Sequence, residues 1–109
     1  MIRLCNLNYP LDLGRKFDLV WSYEVAEHIH AVYTDVFLDT LTKHGDTIAM
    51  SAAKPGQGGA GHFNEQLSGY WIERLEKRGY RYIDGFTGYL HTLPDDYSCN
   101  MMVFERRGL

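Results

Sequence analysis

"FDLVWSYEVAEHIHAVYTDVFLDTLTKHG", residues 17–45, joins a strand-like run directly to a helix-like one. "FDLVWSY" is a compact apolar run and reads as a buried strand. Beyond it, Val25, Ile29, Val32, Val36 and Leu41 recur at intervals of three to five. That spacing places them on one face of a helix, and Gly45 after Lys43 and His44 is a fitting stop. Downstream, "DTIAMSAA" (46–53) is a second strand, and a helix is expected from about Ser68 to Lys77 with Trp71, Ile72 and Leu75 inward and Gly79 as its cap. "YRYIDGF" (80–86) and "CNMMVFERR" (99–107) read as strands, with "TGYLHTLPDDYS" (87–98) irregular between them. Upstream, "MIRLCNL" is a short apolar-biased opening, and Pro10 and Gly14 mark a connection.

Strand, helix, strand, helix, strand, strand is the pattern of an open α/β sheet with helices on its faces. The 109 residues are expected to form one domain, 1–109, large enough to bury roughly 60–70% of the unfolded surface. Net charge is −3, the pI is near 5.9, and the basic residues of "ERLEKRGYR" alternate with acids, so no basic stripe exists for a nucleic acid backbone to follow. No run approaches the ~20 apolar residues of a membrane span. Cys5 and Cys99 have neither C-x-x-C nor zinc spacing, and no signal-peptide run opens the chain. A reducing, cytoplasmic setting is the expectation.

"KPGQGGAGHFNEQ" (54–66) contains Gly56, Gly58 and Gly61 in the spacing G-x-G-x-x-G. That fingerprint holds a pyrophosphate only where the last glycine opens a helix, whose free N–H groups then face the phosphates. Here the next helical period begins near Tyr70, so a dinucleotide-dependent oxidoreductase is disfavoured and a permissive loop is expected. In open α/β sheets, ligands bind beyond the carboxyl ends of the strands. "SYEVAEHIH" and "KPGQGGAGHFNEQ" both fall there, so the two loops are expected to share a cleft.

Taken together, these segments resemble the class I S-adenosylmethionine-dependent methyltransferases. "FDLVWSYEVAEHI" is similar to that family's fourth strand and following helix, of the form F-D-L-V … E-V-x-E-H-I. "SAAKPGQGGAGHFNEQ…YWIERLEKRGY" resembles the next strand, active-site loop and helix, and "YSCNMMVFERR" the last, antiparallel strand. The resemblance implies a partial Rossmann-like open sheet in the family order four, five, seven, six, with the last strand antiparallel. It departs from the family at the start: no strand ending in E/D-x-G-x-G, and no acidic second strand, precedes "FDLVWSY". The chain therefore looks like the second half of a methyltransferase, and alone it is expected to lack methyl-transfer activity because half the cofactor site is missing. "LCNLNYPLDL" resembles the third-strand region, with Asn6 where the family has an Asp against adenine.

The resemblance implies cofactor-side roles for Asn6, Ser22, Tyr23, Glu24 and His28, with Glu24 also a catalytic candidate, and acceptor-side roles for His62 and Asn64, either of which could orient a nucleophile or remove a proton. Glu24 and Glu27 equally suit the first turn of a helix, where acids favour the dipole. His28 and His30 are two apart, which on a helix sends them to different faces, so no metal site is expected. No G-x-S-x-G motif supports a nucleophilic triad. The tyrosines, Trp21 and Trp71 are read as core and interface residues. Without a neighbouring first strand, "FDLVWSY" should carry an open edge. The expected partner is a second copy, giving a homodimer through the Met1 to Tyr23 region, or a chain supplying the missing N-terminal half. A noncatalytic interaction or oligomerisation module derived from a methyltransferase is the alternative function.

Overall fold

The computed structural model describes residues 2–94 and 98–109. Four strands, β1 (Val20–Ser22), β2 (Thr47–Ser51), β3 (Tyr80–Tyr82) and β4 (Met101–Arg106), form one open sheet in the order β1-β2-β4-β3. β1 and β2 run parallel, while β4 is antiparallel to both β2 and β3. This is an α/β fold with a mixed sheet, in the strand order and with the antiparallel last strand expected above. Three helices accompany the sheet: α1 (Thr34–His44), α2 (Ser68–Lys77) and α3 (Asp84–Leu90).

Alternation along the strands sorts the side chains into two faces. Ile48, Met50, Met102, Phe104 and Tyr80 join Phe37, Leu38 and Leu41 of α1 and Trp71 and Leu75 of α2 in the main core. On the other face Ala49, Met101 and Val103 pack with Ile83 and Leu90, and the Val103 N–H donates to Thr87 Oγ1 of α3 at 3.1 Å. α2 has the expected bounds, with Trp71 and Leu75 buried and Ile72 partly so.

Three expectations are corrected. First, the helix after β1 does not begin near Glu24. Residues Ala26–His28 and Ala31–Tyr33 form two separate 3-10 turns, and α1 starts at Thr34. The cause is a contact with the glycine loop: the Glu27 carbonyl accepts the Phe63 and Asn64 N–H groups, both at 3.0 Å, and Ile29 and His30 are extended. Val32 is consequently exposed, and the buried face of α1 is Phe37, Leu38 and Leu41. Second, "FDLVWSY" is not a buried strand. Only three of its residues join the sheet, β2 flanks it on one side only, and Leu19 and Trp21 are 49% and 58% exposed. Third, the expected strand 80–86 stops at Tyr82 and "TGYLHTLPDDYS" is not wholly irregular, because α3 covers Asp84–Leu90; residues 95–97 of that stretch lie outside the described residues.

Gly45 does end α1, but for a steric reason. A Cβ there would stand 2.7 Å from Val20 Cγ2 and 3.1 Å from the Phe17 carbonyl oxygen, where residues 17 and 45 form an isolated parallel bridge. The glycine lets the chain before β1 lie against the end of the helix.

Candidate functional site

The loops that follow the two parallel strands meet at their carboxyl ends. Glu24 and His28 from the first, with Ala53, Gln57, Gly58, Gly59 and His62 from the second, line a cleft of about 470 Å³. The hinge between the loops is Glu27, whose side chain is fully buried. Its Oε1 accepts the Ala53 N–H at 2.7 Å, while its backbone carbonyl holds Phe63 and Asn64. Its Oε2 has no hydrogen-bond partner and lies 3.8 Å from His28 Nε2.

Burial pushes the Glu27 carboxyl above its ordinary value of 4.5; the Ala53 N–H opposes this and the neighbouring Glu24 charge adds to it. A raised value means that the folded protein keeps this proton longer than the unfolded chain does. The associated stability is fully present below the unfolded value and is lost as pH rises through the folded one. In urea unfolding, the stability of the wild type relative to Glu27→Gln should therefore fall from about pH 4.5 upward. Identical pH profiles for the two proteins would refute the burial argument.

The two imidazoles of the cleft are held in fixed orientations. His28 Nδ1 lies 2.9 Å from the Gly61 carbonyl, which can only accept, so Nδ1 carries the proton. His62 Nδ1 lies 2.9 Å from Glu65 Oε2, and Glu65 also accepts the Gly58 N–H at 2.8 Å and the Gly56 N–H at 3.3 Å. The hydrogen bond from His62 is the main reason that the Glu65 carboxyl is held below its usual range. A Nδ1–H donated to a carboxylate leaves Nε2 as an acceptor, which is the tautomer a general base needs. The rings meet edge to face, 4.8 Å between centroids.

The glycines of the loop serve these rings. A Cβ on Gly59 would stand 2.8 Å from His62 Cε1 and Nε2, and one on Gly61 would stand 3.2 Å from His28 Nδ1; both residues have positive φ. α2 begins only at Ser68, so the loop does not lead into a helix N-terminus. Of the three glycines in the G-x-G-x-x-G spacing only Gly61 makes room for an imidazole; Gly59, which makes room for the other, lies outside that spacing.

The other candidates are distributed around this cleft. Glu24 has φ 53°, unusual for a residue with a side chain; its N–H donates to Ser51 Oγ at 2.6 Å and its Oε2 is buried without a hydrogen-bond partner. Ser22 is buried beneath, its Oγ also without a hydrogen-bond partner. Asn64 is buried and does not line the cleft: its Nδ2 donates to Thr34 Oγ1 at 3.2 Å and its Oδ1 accepts from Gln66 at 2.7 Å, which fixes the loop to the start of α1. Tyr23 points to the other face, stacked on Trp21 in a second groove. Asn6 is exposed, accepts the Asn8 N–H at 2.9 Å and is not part of the cleft lining. Glu65 escaped the sequence-based candidates; its spacing of three from His62 was the available signal.

Among the described residues, no group of three or more His, Cys, Asp or Glu side chains is arranged to hold a metal ion, and no helix is long and apolar enough to cross a membrane. Comparisons with protein-family models, with curated proteins and with solved structures find no match to this chain.

Proposed function

We propose that this chain is the acceptor-side half of a class I S-adenosylmethionine-dependent methyl-transfer domain, completed by a segment or partner that carries a glycine-rich first strand. The observation that carries this reading is the meeting of Glu24 and His28 with His62 in one cleft at the carboxyl ends of β1 and β2. These residues come from two separate motifs of the resemblance. The hydrogen-bond-free oxygens of Ser22 and Glu24 at the end of β1 suit the cationic methionine end of the cofactor. When bound, that cofactor supplies an electrophilic methyl group. The residues of this chain then have two tasks, alignment of the acceptor and removal of its proton. His62 performs the second through Nε2, with Glu65 fixing its tautomer and Gly59 its approach.

Because the described residues contain no glycine-rich turn beside β1, the isolated chain should bind S-adenosylmethionine in the millimolar range, about −4 kcal/mol, or more weakly. Calorimetric titration tests this, and micromolar binding would contradict a half-site.

The noncatalytic interaction module is favoured by a different observation. The outer edge of β1 has no partner strand among the described residues, and Leu19 and Trp21 are exposed beside it. Such an edge is a template for pairing. A second copy adding its β1 across a twofold axis would close it. Sedimentation velocity at micromolar concentration should then show a dimer; a monodisperse monomer with protected Val20 and Trp21 amides would exclude it.

A further inference from the structure

Residues 2–16 form an arm without helix or strand, and among the described residues two hydrogen bonds fasten it to the rest of the chain. One joins Lys16 Nζ to Asp46 Oδ1 at 2.9 Å, between side chains 57% and 34% exposed, and exposed pairs of this kind hold little. The other is buried at its acceptor. The Leu13 N–H donates to His44 Nε2 at 2.9 Å, and His44, the last residue of α1, is only 5% exposed. Nδ1 of the same ring lies 2.7 Å from the Thr40 carbonyl oxygen, which can only accept. Nδ1 therefore carries the proton and Nε2 the lone pair, and the neutral imidazole alone satisfies both contacts. A second proton, placed on Nε2, sets donor against donor at Leu13.

We infer that His44 is a pH-sensitive latch: neutral, it holds residues 10–16 against α1, and protonated, it lets them go. The arm yields rather than the ring, because the carboxyl end of α1 favours a cation at His44 and Nδ1 keeps its bond to Thr40 in either form. The Phe17 N–H donates to the His44 backbone carbonyl at 2.7 Å, a bond without the imidazole, so release stops short of β1. The charged side chains on the elements around the ring are Asp39 and Lys43 of α1, Asp12, Arg15 and Lys16 of the arm, and Asp46, which pairs with Lys16 and with Arg106 of β4. Arg106 and Lys16 hold the Asp46 carboxyl below its usual range, so that pair keeps its charge while imidazoles titrate. The proton is taken up by the released state and excluded by the attached one; attachment is therefore present at neutral pH and lost on acidification. Release bares the α1 surface beside Pro10 and Leu11, at Val36, Thr40 and Lys43. The latch is independent of the methyl-transfer reading.

Nuclear magnetic resonance of the whole chain between about pH 7.5 and about pH 5, where imidazoles change charge, tests this. At the upper end the ring nitrogen shifts of His44 should be those of the Nδ1–H tautomer. At the lower end the Leu13 amide should lose protection by about tenfold or more after correction for intrinsic exchange, and relaxation of Leu11 to Lys16 should report a mobile segment while the amides of α1 and β2 stay as they were. His44→Gln keeps an amide oxygen as acceptor but has no titrating group, so its arm should stay attached throughout; His44→Ala should free the arm throughout. Asp46→Asn should release the arm on acidification as the wild type does. An Nε2–H tautomer, or an arm equally ordered at both ends of the range in the wild type, overturns the latch without recourse to any variant. Release in His44→Gln like that of the wild type, or loss of the response in Asp46→Asn, overturns it as well.

Discussion

Truncating Trp71 to alanine is expected to remove about 3–5 kcal/mol of folding stability. The indole is fully buried in the core formed by α1, α2 and the sheet, against a cluster that includes Phe37, Leu38, Ile48 and Phe104. Single domains have about 5–15 kcal/mol in total, so the variant should be largely unfolded under mild heating. Trp71→Phe should behave differently. The indole Nε1 is buried without a hydrogen-bond partner, and an orphan donor costs about 1–3 kcal/mol. Removing it offsets much of the lost volume, so phenylalanine should stay within about 1.5 kcal/mol of the wild type. Urea melts of both variants check this. A phenylalanine variant as unstable as the alanine one would refute the offset.

Under the proposed methyl-transfer reading, replacing His62 with glutamine should lower the rate of a domain completed by its missing half by about 10²–10⁴-fold, the usual contribution of a positioned base. Glutamine keeps a polar group near Glu65 but provides no basic nitrogen. The readout is kcat against pH in the assembled protein, with the circular dichroism of the variant showing that the fold is retained. The wild-type rate should rise with the deprotonation of one group, and the variant should lose that dependence. A rate within about threefold of wild type would remove His62 from the chemistry.

The sheet was legible because β2 and β4 each carry an apolar run and the antiparallel β4 falls last in the chain. α2 was legible for a similar reason, since Trp71, Ile72 and Leu75 form a stripe with a glycine after it. The segment between β1 and α1 was not. Val25, Ile29, Val32 and Val36 imitate a helical period, yet the Glu27 carbonyl is committed to the glycine loop, a contact of long sequence separation that no local pattern records. α3 lacked a signal because its Phe86 and Tyr89 are exposed and its buried contact is the polar Thr87. Of the site residues, Glu24, His28 and His62 were brought together, whereas Asn64 and Tyr23 were turned to loop fixation and to the opposite face. The roles of Glu27 and Glu65 depend on which backbone N–H groups lie beside them, and only the folded loops supply that.

The most direct test of the cleft is a nuclear magnetic resonance titration of the labelled chain with S-adenosylmethionine to about 10 mM, enough to populate a millimolar complex. Weak, saturable shifts are expected, confined to Ser22, Glu24, His28, Ala53 and the Gly58 to His62 segment. Shifts centred instead on the groove of Trp21, Leu90 and Leu93 would contradict the cleft as the cofactor side.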